Sequence, residues 1–517
     1  MRYPIGIQSF PTIREGKYVY IDKTDLVYDL AQEHVCFLSR PRRFGKSLLL
    51  STLEAYFEGR GDLFRGLKLE ELEKDWDAYP VFRIDFANGN YADPNGLTHK
   101  LLACLNKWEQ IYGSNPALIE LGDRFQYVLE QACRQTGKKA VVLIDEYDKP
   151  LLDVLGEAQE ITNRNILRGF YGTFKAADDV LRFVLLTGVT KFSQITVFSG
   201  LNQPNDISMN RHYDALCGIT EQELHTVFAE PIAAMAAHLE CTTDEMKAAL
   251  KKQYDGYHFS SGMLDIYNPF SIINAFNATE IENYWYRSGT PTYLAKLIEG
   301  HNINMAHLTA QEYQAQDFQD YKADAEDPLA MLYQSGYLTI KSYDRNDRVY
   351  TLDFPNDEVR SGFVTLIANG YFGLPERSIN SWILNLCRML RKGDLDGIRD
   401  AFTSFLASIP YEANKDERAR DFESHYQYTF YLILRMLSCS TTLIEKQNSK
   451  GRADLIVESS HDIYIFEFKL NGSAEEALEQ IDRQQYAAPY LNDTRRLHRI
   501  GVNISSETRT VSEWKVR

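Results

Sequence analysis

The sequence contains no long uninterrupted run of apolar residues. Nowhere do the roughly 18 consecutive apolar residues of a membrane helix occur. The N-terminal segment MRYPIGIQSF also lacks the apolar stretch that marks an export signal. We therefore expect neither a membrane span nor secretion, and we predict a cytoplasmic protein with no membrane partner.

Cysteine is scarce and shows no paired spacing. The seven cysteines are odd in number, and no two form a Cys-x-x-Cys pair. Neither a disulfide framework nor a zinc ribbon is therefore indicated, and a reducing compartment is expected.

Long runs of lysine or arginine are also absent, and the formal net charge is −16. This balance excludes a surface that is basic all over. A nucleic-acid partner would therefore need a local basic groove.

What the sequence does contain is enough apolar material for several folded domains. The chain has 517 residues, 44% of them hydrophobic. It is too long for a single hydrophobic core, and about two to four domains are expected. In the first half, short apolar runs alternate with helical patterns, which predicts an α/β domain with a parallel sheet that binds ligands at the carboxyl ends of its strands. The predicted strands are Val35–Leu38, Val81–Phe86, Ala140–Ile144 and Phe183–Leu186.

A charged loop, SRPRRFGKS (39–47), lies between the first predicted strand and a predicted helix, Ser47–Phe57. This is the context of a P-loop, in which backbone N–H groups and a helix N-terminus hold phosphates. Lys46 would contact the β- and γ-phosphates of ATP, and Ser47 would hold Mg²⁺. By itself the GKS tripeptide is better explained as a polar helix N-cap, and Arg40 replaces the first glycine of the usual pattern. The predicted nucleotide contacts are Arg40, Pro41, Arg42, Arg43, Phe44, Gly45, Lys46, Ser47 and Leu48.

A second motif, the apolar strand VVLI (141–144), ends in two acids. Asp145 would hold Mg²⁺ beside Ser47, and Glu146 would polarise a water for attack on the γ-phosphate. Alone, the pattern fits a strand followed by a solvated turn better. The two motifs in this order favour a nucleotide site.

The remaining elements of the first half refine this prediction. ATPases with a catalytic glutamate insert a strand between the two motifs, and we expect Val81–Phe86 to be that strand. Thr187, at the end of the fourth strand, is either a polar sensor of the γ-phosphate or a simple strand-end residue. The arginines that could neutralise phosphate charge are Arg42, Arg43, Arg164, Arg168 and Arg182.

Near the C-terminus, the segments GRADLIV (451–457) and IYIFEFK (463–469) form a second group of chemically active residues. Glu467 and Lys469 lie two apart on a predicted strand and so share one face. With Asp454 they could bind Mg²⁺, with Lys469 orienting the nucleophile or stabilising charge. Gln480 on the following helix and Glu423 on the preceding one are further candidates. The alternatives are an ordinary hairpin with an exposed Glu–Lys pair and, for Glu423, a solvated helix face.

Between these ends the pattern is mainly helical. Residues 221–375 are predicted as a helical lid that contains a small winged-helix-like part. Residues 1–220 are predicted as the ATPase domain and residues 376–517 as the C-terminal domain, with strands at 443–445, 453–458 and 463–468 and a helix from Ala474.

Together these motifs make the chain similar to a known family. The N-terminal part resembles the AAA-ATPase-like family, and the C-terminal part resembles the PD-(D/E)XK nuclease superfamily domain through GRAD (451–454) and FEFKL (466–470). The N-terminal resemblance rests on YPIGIQSF (3–10), YIDKT (20–24), SRPRRFGKS (39–47), LIDEYDKP (143–150) and LTGVTKF (186–192).

The resemblance implies a P-loop NTPase fold of the AAA-like type and a restriction-endonuclease-like α/β domain at the C-terminus. It implies that Arg40 is normal in this loop, that ATP binds at the two motifs, and that Asp454 and Glu467 hold metal beside Lys469. The run Glu423-Ser-His-Tyr-Gln departs from the acid, aromatic and histidine order that the family shows on this helix.

Three functions are compatible with these observations. The leading hypothesis is an ATP-dependent, Mg²⁺-dependent nuclease that acts on DNA more readily than RNA. The second is a nucleotide-switched regulatory or scaffold protein whose nuclease-like domain binds nucleic acid without cleaving it, which the acidic net charge favours slightly. A motor ATPase without nuclease activity leaves the C-terminal residues unexplained. A homo-oligomer is also an expectation, because ATPases of this class often take an arginine from a neighbour.

Overall fold

In the computed structural model, the described residues are 1–192, 204–288, 308–309, 311–321, 328–372, 374–409, 429, 432–433, 436, 455–508 and 510–517. They form two compact units, Met1–Val359 and Arg360–Arg517. The predicted domain boundaries after residues 220 and 375 stay predictions.

A five-stranded parallel sheet forms the centre of the N-terminal part of the first unit. Its strands are β1 (Val35–Ser39), β2 (Val81–Asp85), β3 (Ala140–Asp145), β4 (Leu181–Gly188) and β5 (Asn205–Asp206), in the spatial order β2-β3-β4-β1-β5. All six residues of β3 are buried, as expected for a parallel strand that is covered on both faces. The predicted α/β fold with a parallel sheet is confirmed.

The spatial order corrects one expectation. The strand between the P-loop strand β1 and the acid-bearing strand β3 is β4, whereas β2 lies at the edge of the sheet. Val81–Phe86 comes between the two motifs in the sequence. Which strands pair in the sheet depends on contacts between different strands, and the residue pattern of a single segment does not reveal them. The prediction that this segment is the inserted strand was therefore wrong.

Helices surround this sheet, and their apolar spacing explains their burial. In the helix at residues 121–136, Phe125, Val128, Leu129 and Ala132 recur every three or four residues and are buried, and Gly137 ends the helix at a φ of 69°. The helices are α1 (Phe10–Glu15), α2 (Thr24–Ala31), α3 (Lys46–Phe57), α4 (Lys68–Leu72), α5 (Gly96–Tyr112), α6 (Leu121–Thr136), α7 (Lys149–Leu152), α8 (Ala158–Tyr171) and α9 (Thr173–Ala176).

The next part of the first unit is mainly helical, as predicted. Two of its helices begin with reciprocal capping boxes, Thr220 with Glu223 and Thr242 with Glu245. The elements are β6 (Ile219–Thr220), β7 (Ile266–Tyr267), α10 (Glu221–Val227), α11 (Ala229–His238), α12 (Thr243–Tyr254), α13 (Pro269–Ala278) and α14 (Tyr284–Arg287). Apolar residues of α10 to α13 share one core cluster.

A small antiparallel sheet follows in the first unit, with strand order β8-β10-β9. Residues 329–353 form a helix, a strand, a polar turn and a second strand. The elements are β8 (Glu312–Tyr313), β9 (Thr339–Asp344), β10 (Val349–Asp353), α15 (Ala315–Gln319) and α16 (Leu329–Gln334). Helix α17 (Asp357–Phe372) begins in the first unit.

The second unit has a four-stranded mixed sheet of order β11-β12-β13-β14, in which only the central β12–β13 pair is parallel. Its elements are α18 (Glu376–Lys392), α19 (Leu395–Ser408), α20 (Ala474–Arg483), β11 (Leu455–Glu458), β12 (Asp462–Leu470), β13 (Arg496–Ser505) and β14 (Thr510–Val516). The strands predicted near residues 455 and 465 and the helix from Ala474 are confirmed. The predicted strand at 443–445 lies outside the described residues, and β13 and β14 were not predicted.

None of the helices within the described part of the chain combines the length and the apolar character needed to span a bilayer.

We predict that Gly256→Ala destabilises the first unit. Gly256 has a φ of +87°, and a Cβ there would lie 2.3 Å from the carbonyl oxygen of Pro355. The left-handed backbone alone costs an alanine ~1–2 kcal/mol, and the contact with backbone adds to this cost. The midpoint of thermal unfolding should therefore fall by several degrees.

Gly169→Ala is the matched control, since Gly169 lies within α8 and a Cβ there has no atom within 4 Å. It should leave the midpoint unchanged or raise it. Equal midpoints for the two variants would contradict the close approach at Gly256.

Candidate functional site

The loop predicted to bind phosphates joins the end of β1 to the start of α3. The Nζ of Lys46 donates hydrogen bonds to the carbonyl oxygens of Arg40, at 2.9 Å, and Pro41, at 3.1 Å. Burial lowers the pKa of Lys46, and the charges of Glu146 and Asp145 oppose this effect. Among the described residues, no carboxylate forms an ion pair with this buried ammonium group, so the loop holds a cation without an anionic partner.

The guanidinium group of Arg40, the residue that replaces the expected glycine, binds backbone carbonyls. Its Nη1 donates to the carbonyls of Ser39 and Ser208, at 2.9 and 2.7 Å, and its Nη2 donates to that of Tyr213, at 3.1 Å. The side chain is almost fully buried, and this burial lowers its pKa. Within the loop, the backbone of Arg40 is what contacts Lys46.

The positive φ angles of this loop explain why position 40 needs no glycine. They fall at Arg43, with a φ of 69°, and at Gly45, with a φ of 98°, and not at Arg40. A Cβ at Gly45 would meet no atom within 4 Å. Glycine is therefore favoured at this position by the positive φ angle and not by the close approach of a neighbouring atom.

A cavity of about 400 Å³ opens beside this loop. Its described lining residues bring together Arg42, Arg43 and Lys46 with one carboxylate, Glu146. Ser47 and Leu48 line it as well, and the segment 4–8 closes one side. Three cations against one acid give the cavity a positive balance, which suits a polyphosphate anion.

The acids that follow β3 occupy two different environments. Asp145 is buried, and its Oδ1 accepts a hydrogen bond from the hydroxyl of Thr187 at 2.9 Å. Glu146 lies in the cavity lining and has a φ of 50°, a left-handed angle that is uncommon outside glycine. Desolvation raises the pKa of Glu146, while Lys46 opposes this effect. A strained backbone and a raised pKa are typical of functional carboxylates.

A second, mostly apolar cavity of about 120 Å³ lies next to the first, because the two share Pro4, Ile13, Gly45 and Leu48. Its other lining residues include Val19, Ile21, Leu49, Cys217 and Ile219. An aromatic heterocycle with an apolar face would match such a lining.

Two residues that the sequence analysis left without a role hold the end of β4. Asp148 is buried, and its Oδ2 accepts hydrogen bonds from the N–H groups of Val189, at 3.0 Å, and Thr190, at 2.6 Å. Desolvation raises the pKa of Asp148 to about 6. The Tyr147 hydroxyl donates to the carbonyl of Thr190 at 2.8 Å. Both residues belong to the segment LIDEYDKP (143–150), but their contacts with the residues that follow β4 could not be predicted from the sequence.

The mainly helical part of the first unit supports the phosphate loop from outside. The indole Nε1 of Trp285 donates to the carbonyl of Arg42 at 3.1 Å, and the ring of Phe44 packs edge-on against Tyr257 at 4.8 Å. Glu358 in turn accepts from the N–H of Trp285 at 2.6 Å. Nothing in the sequence pattern signalled these contacts, since Arg42 and Trp285 are 243 positions apart.

In the second unit, Glu467, Lys469 and Gln480 come together. The Nζ of Lys469 donates to the Oε1 of Gln480 at 2.5 Å and lies 3.8 Å from the Oε1 of Glu467. The Nε2 of Gln480 donates to that same Glu467 oxygen. Glu467 is buried while Lys469 is partly exposed. This arrangement places an acid, an amide and a cation at one end of β12.

Asp454 and Glu423, the other predicted residues of this site, lie outside the described residues. Within the described part of the chain, no group of three or more His, Cys, Asp or Glu residues could hold a metal ion. The predicted metal site at Asp454 and Glu467 therefore stays a prediction.

Of the five candidate arginines, two lie in the lining of the 400 Å³ cavity. Arg42 and Arg43 line it, and Arg43 lies 4.7 Å above the ring of Phe270. Arg164 pairs with Glu160 within α8, and Arg168 contacts Asn165.

The strand order and the loop together define the class of the first unit. A loop of the P-loop kind between β1 and α3, an acid pair after β3, and β4 inserted between these two strands are the features of a P-loop NTPase fold.

Known families match both ends of the chain. The family described as "Predicted AAA-ATPase" matches residues 4–198, and the PD-(D/E)XK nuclease superfamily matches residues 421–514. A protein of Azotobacter chroococcum mcd 1, described as "Uncharacterized protein in vnfD 5'region", is 36% identical over 523 residues, which cover 99% of this chain and 98% of that protein. The solved structure of the Aeropyrum pernix ORC1 protein in complex with DNA is similar at a TM-score of 0.24 and 11% identity, over 68% of this chain and 93% of that one.

The chain belongs to the AAA-ATPase-like family, and it combines the ATPase-like domain with a C-terminal PD-(D/E)XK nuclease superfamily domain.

We predict that Glu358 makes the first unit less stable as the pH rises. Desolvation raises the pKa of Glu358 to about 7 from an ordinary value of 4.5. The folded protein holds the proton of Glu358 more tightly than the unfolded chain does. The stabilisation that this proton provides is therefore complete below pH 4.5 and is lost as the pH rises through about 7. The difference corresponds to ~3 kcal/mol. Urea unfolding followed by tryptophan fluorescence at pH 5 and pH 8 measures it.

Glu358→Gln should reduce this difference between the two pH values by ~3 kcal/mol, and the raised pKa values of Asp148 and Asp255 should leave a remaining dependence of the same sign. The exposed residue Glu280 provides the control, Glu280→Gln, which removes the same charge from the surface. Identical pH dependence in wild type and both variants would contradict the role assigned to Glu358.

Proposed function

We propose that the chain binds and hydrolyses ATP in its first unit and that this controls a Mg²⁺-dependent nuclease site in its second unit. The observation that carries the proposal is the buried ammonium group of Lys46. It faces a cavity of about 400 Å³ and is held by two carbonyls of its own loop. Carbonyl oxygens compensate a buried cation less well than phosphate oxygens do.

The residues of the cavity fit ATP with Mg²⁺. Lys46 and the backbone N–H groups at the start of α3 would hold the β- and γ-phosphates, assisted by Arg42 and Arg43. Ser47 and Asp145 supply the oxygen donors that Mg²⁺ prefers. The metal would neutralise negative charge on the phosphates.

Glu146 is the residue we assign to the hydrolytic water. Its carboxylate lies in the cavity lining, and its raised pKa brings it closer to the proton affinity that a general base needs. Thr187 contacts Asp145 and would hold that carboxylate in place for the metal. The apolar cavity beside Pro4 and Leu48 would take the purine base.

In the second unit we assign metal binding to Asp454 and Glu467, with Glu423 as a further carboxylate. Lys469 would stabilise charge at the scissile phosphate. Gln480 contacts both Glu467 and Lys469 and would fix the positions of these two side chains. The substrate we propose is a nucleic acid, DNA before RNA. A homo-oligomer and a cytoplasmic location remain predictions.

The second candidate function is a nucleotide switch that binds nucleic acid without cutting it. The contact between Lys469 and Gln480 favours it, because an ammonium group that is already engaged is less available to a phosphate.

We predict that Lys46→Ala abolishes ATP binding. The phosphates lose their principal cation, and the affinity should fall at least about a hundredfold, which corresponds to ~3 kcal/mol. Titration with a fluorescent ATP analogue measures this. Lys175→Ala, which removes an exposed lysine from α9, is the control and should bind as wild type does.

Glu146→Gln separates binding from hydrolysis in the same assay. It should bind ATP but turn it over about 10²-fold or more slowly. Turnover by Lys46→Ala at the wild-type rate would rule out the phosphate-loop assignment.

We predict that Glu467→Gln and Lys469→Ala each abolish cleavage and leave ATP hydrolysis intact. The substrates are single-stranded, double-stranded and branched DNA and RNA, each with Mg²⁺ or Mn²⁺ and with or without ATP. Cleavage that survives both changes would show that these are not the nuclease residues. A wild-type protein that binds these substrates but cuts none would identify the switch as the function.

A further inference from the structure

Helix α18 carries a row of exposed cations along one face. Positions 377, 380, 381, 384, 385, 388, 391 and 392 are all exposed, whereas Ile379, Ile383, Leu386 and Leu390 are buried. At 100° per residue, the exposed positions fall within about 140° of the helix circumference. We name this set the α18 face, and its residues are Arg377, Asn380, Ser381, Leu384, Asn385, Arg388, Arg391 and Lys392. It contains four cations and no acid.

Helix stability does not explain this arrangement. Cations in the last turn, such as Arg391 and Lys392, interact favourably with the helix dipole, but Arg377 lies in the first turn, where a positive charge is unfavourable. Arg388 also repels Arg391 and Lys392, which lie three and four residues further on. The helix would be more stable with acids interspersed along this face.

Several other cations of the second unit form ion pairs. Arg399 pairs with Asp396 and Asp400, Arg499 pairs with Asp482, and Arg517 pairs with Glu475. For the four cations of the α18 face, the described residues provide no such carboxylate partner. In a chain of net charge −16, such a row stands out.

The chemistry of the α18 face fits a phosphate backbone. Arg377 and Arg391 are 14 residues apart, so the face extends for ~21 Å, the length of about six nucleotide steps in a duplex. Asn380, Ser381 and Asn385 lie between the cations and offer neutral donors of the kind that contact phosphate and sugar oxygens. Leu384 is the one apolar residue of the face, which is too little apolar area to enter a lipid surface.

We propose that the α18 face binds the sugar–phosphate backbone of the nucleic acid on which the second unit acts. This inference rests on the proposed nuclease or nucleic-acid-binding function of that unit. It supplies the local basic surface that an acidic protein needs in order to hold a polyanion. The contacts are with phosphates, so the binding is insensitive to base sequence.

The test uses the full-length chain with Glu467→Gln in the background, so that the substrate stays intact. The test variant carries Arg377→Gln, Arg388→Gln and Arg391→Gln together, and the matched control carries Arg399→Gln, Arg499→Gln and Arg517→Gln, which remove the same charge from paired cations. The dissociation constants for fluorescent 30-nucleotide single strands and duplexes of DNA and RNA are measured by anisotropy from 50 to 200 mM salt.

We expect the test variant to bind at least about tenfold more weakly, and the slope of log K against log salt to become less steep by about 2 to 3, since each lost phosphate contact contributes ~0.9. The matched control should stay within about twofold of the parent. Arg377→Lys, Arg388→Lys and Arg391→Lys together should restore the affinity, and an unchanged circular dichroism spectrum and thermal unfolding profile would show that the second unit of each variant folds.

Different results would overturn different claims. If the parent binds nucleic acid and the test variant has the same affinity and salt slope, the α18 face is not the docking surface, while the proposed function stands. If the parent binds none of the nucleic acids, both claims fail. If polyglutamate binds the α18 face and nucleic-acid binding does not depend on that face, the partner of the α18 face is an acidic protein segment and the proposal is wrong.

Discussion

The ammonium group of Lys46 is held between two carbonyl oxygens of its own loop, and burial lowers its pKa. A buried cation is costly unless an anion compensates it. The first unit supplies no described carboxylate at ion-pair distance, and Lys46 lines a cavity whose described lining has a positive balance. The carboxylate of Glu146, whose backbone is strained, lies in the lining of the same cavity, and the hydroxyl of Thr187 binds the neighbouring Asp145.

The loop keeps its shape through contacts that are distant in sequence. Trp285 binds the carbonyl of Arg42, Tyr257 packs on Phe44, and Glu358 holds the backbone of Trp285. The mainly helical part therefore contributes to the loop itself, because Trp285 supplies a hydrogen bond to the loop backbone. Glu358 also lies in the first turn of α17.

The sequence was sufficient where the pattern is local. The continuous apolar run of β3, the start of α3 after a glycine, and the β12 and α20 segments could each be recognised from neighbouring residues. Strand order could not be predicted in this way, because β4 is placed between β1 and β3 by pairing across the sheet. The same limit applies to Asp148, whose partners are 41 and 42 positions away. Within the second unit, β13 was missed because its first half is polar and only its second half is buried.

The buried guanidinium group of Arg40 has a consequence for how loops of this kind vary and how they are found. The left-handed backbone angles fall at Arg43 and Gly45, so position 40 is free of the conformational demand that glycine usually meets. A search that insists on glycine there discards sequences whose loop geometry is sound. Natural variation should instead be restricted at position 43, where β-branched side chains are disfavoured and asparagine or glycine would be tolerated. Position 40 should vary together with the carbonyl-bearing segments around Ser208 and Tyr213 that now hold its side chain.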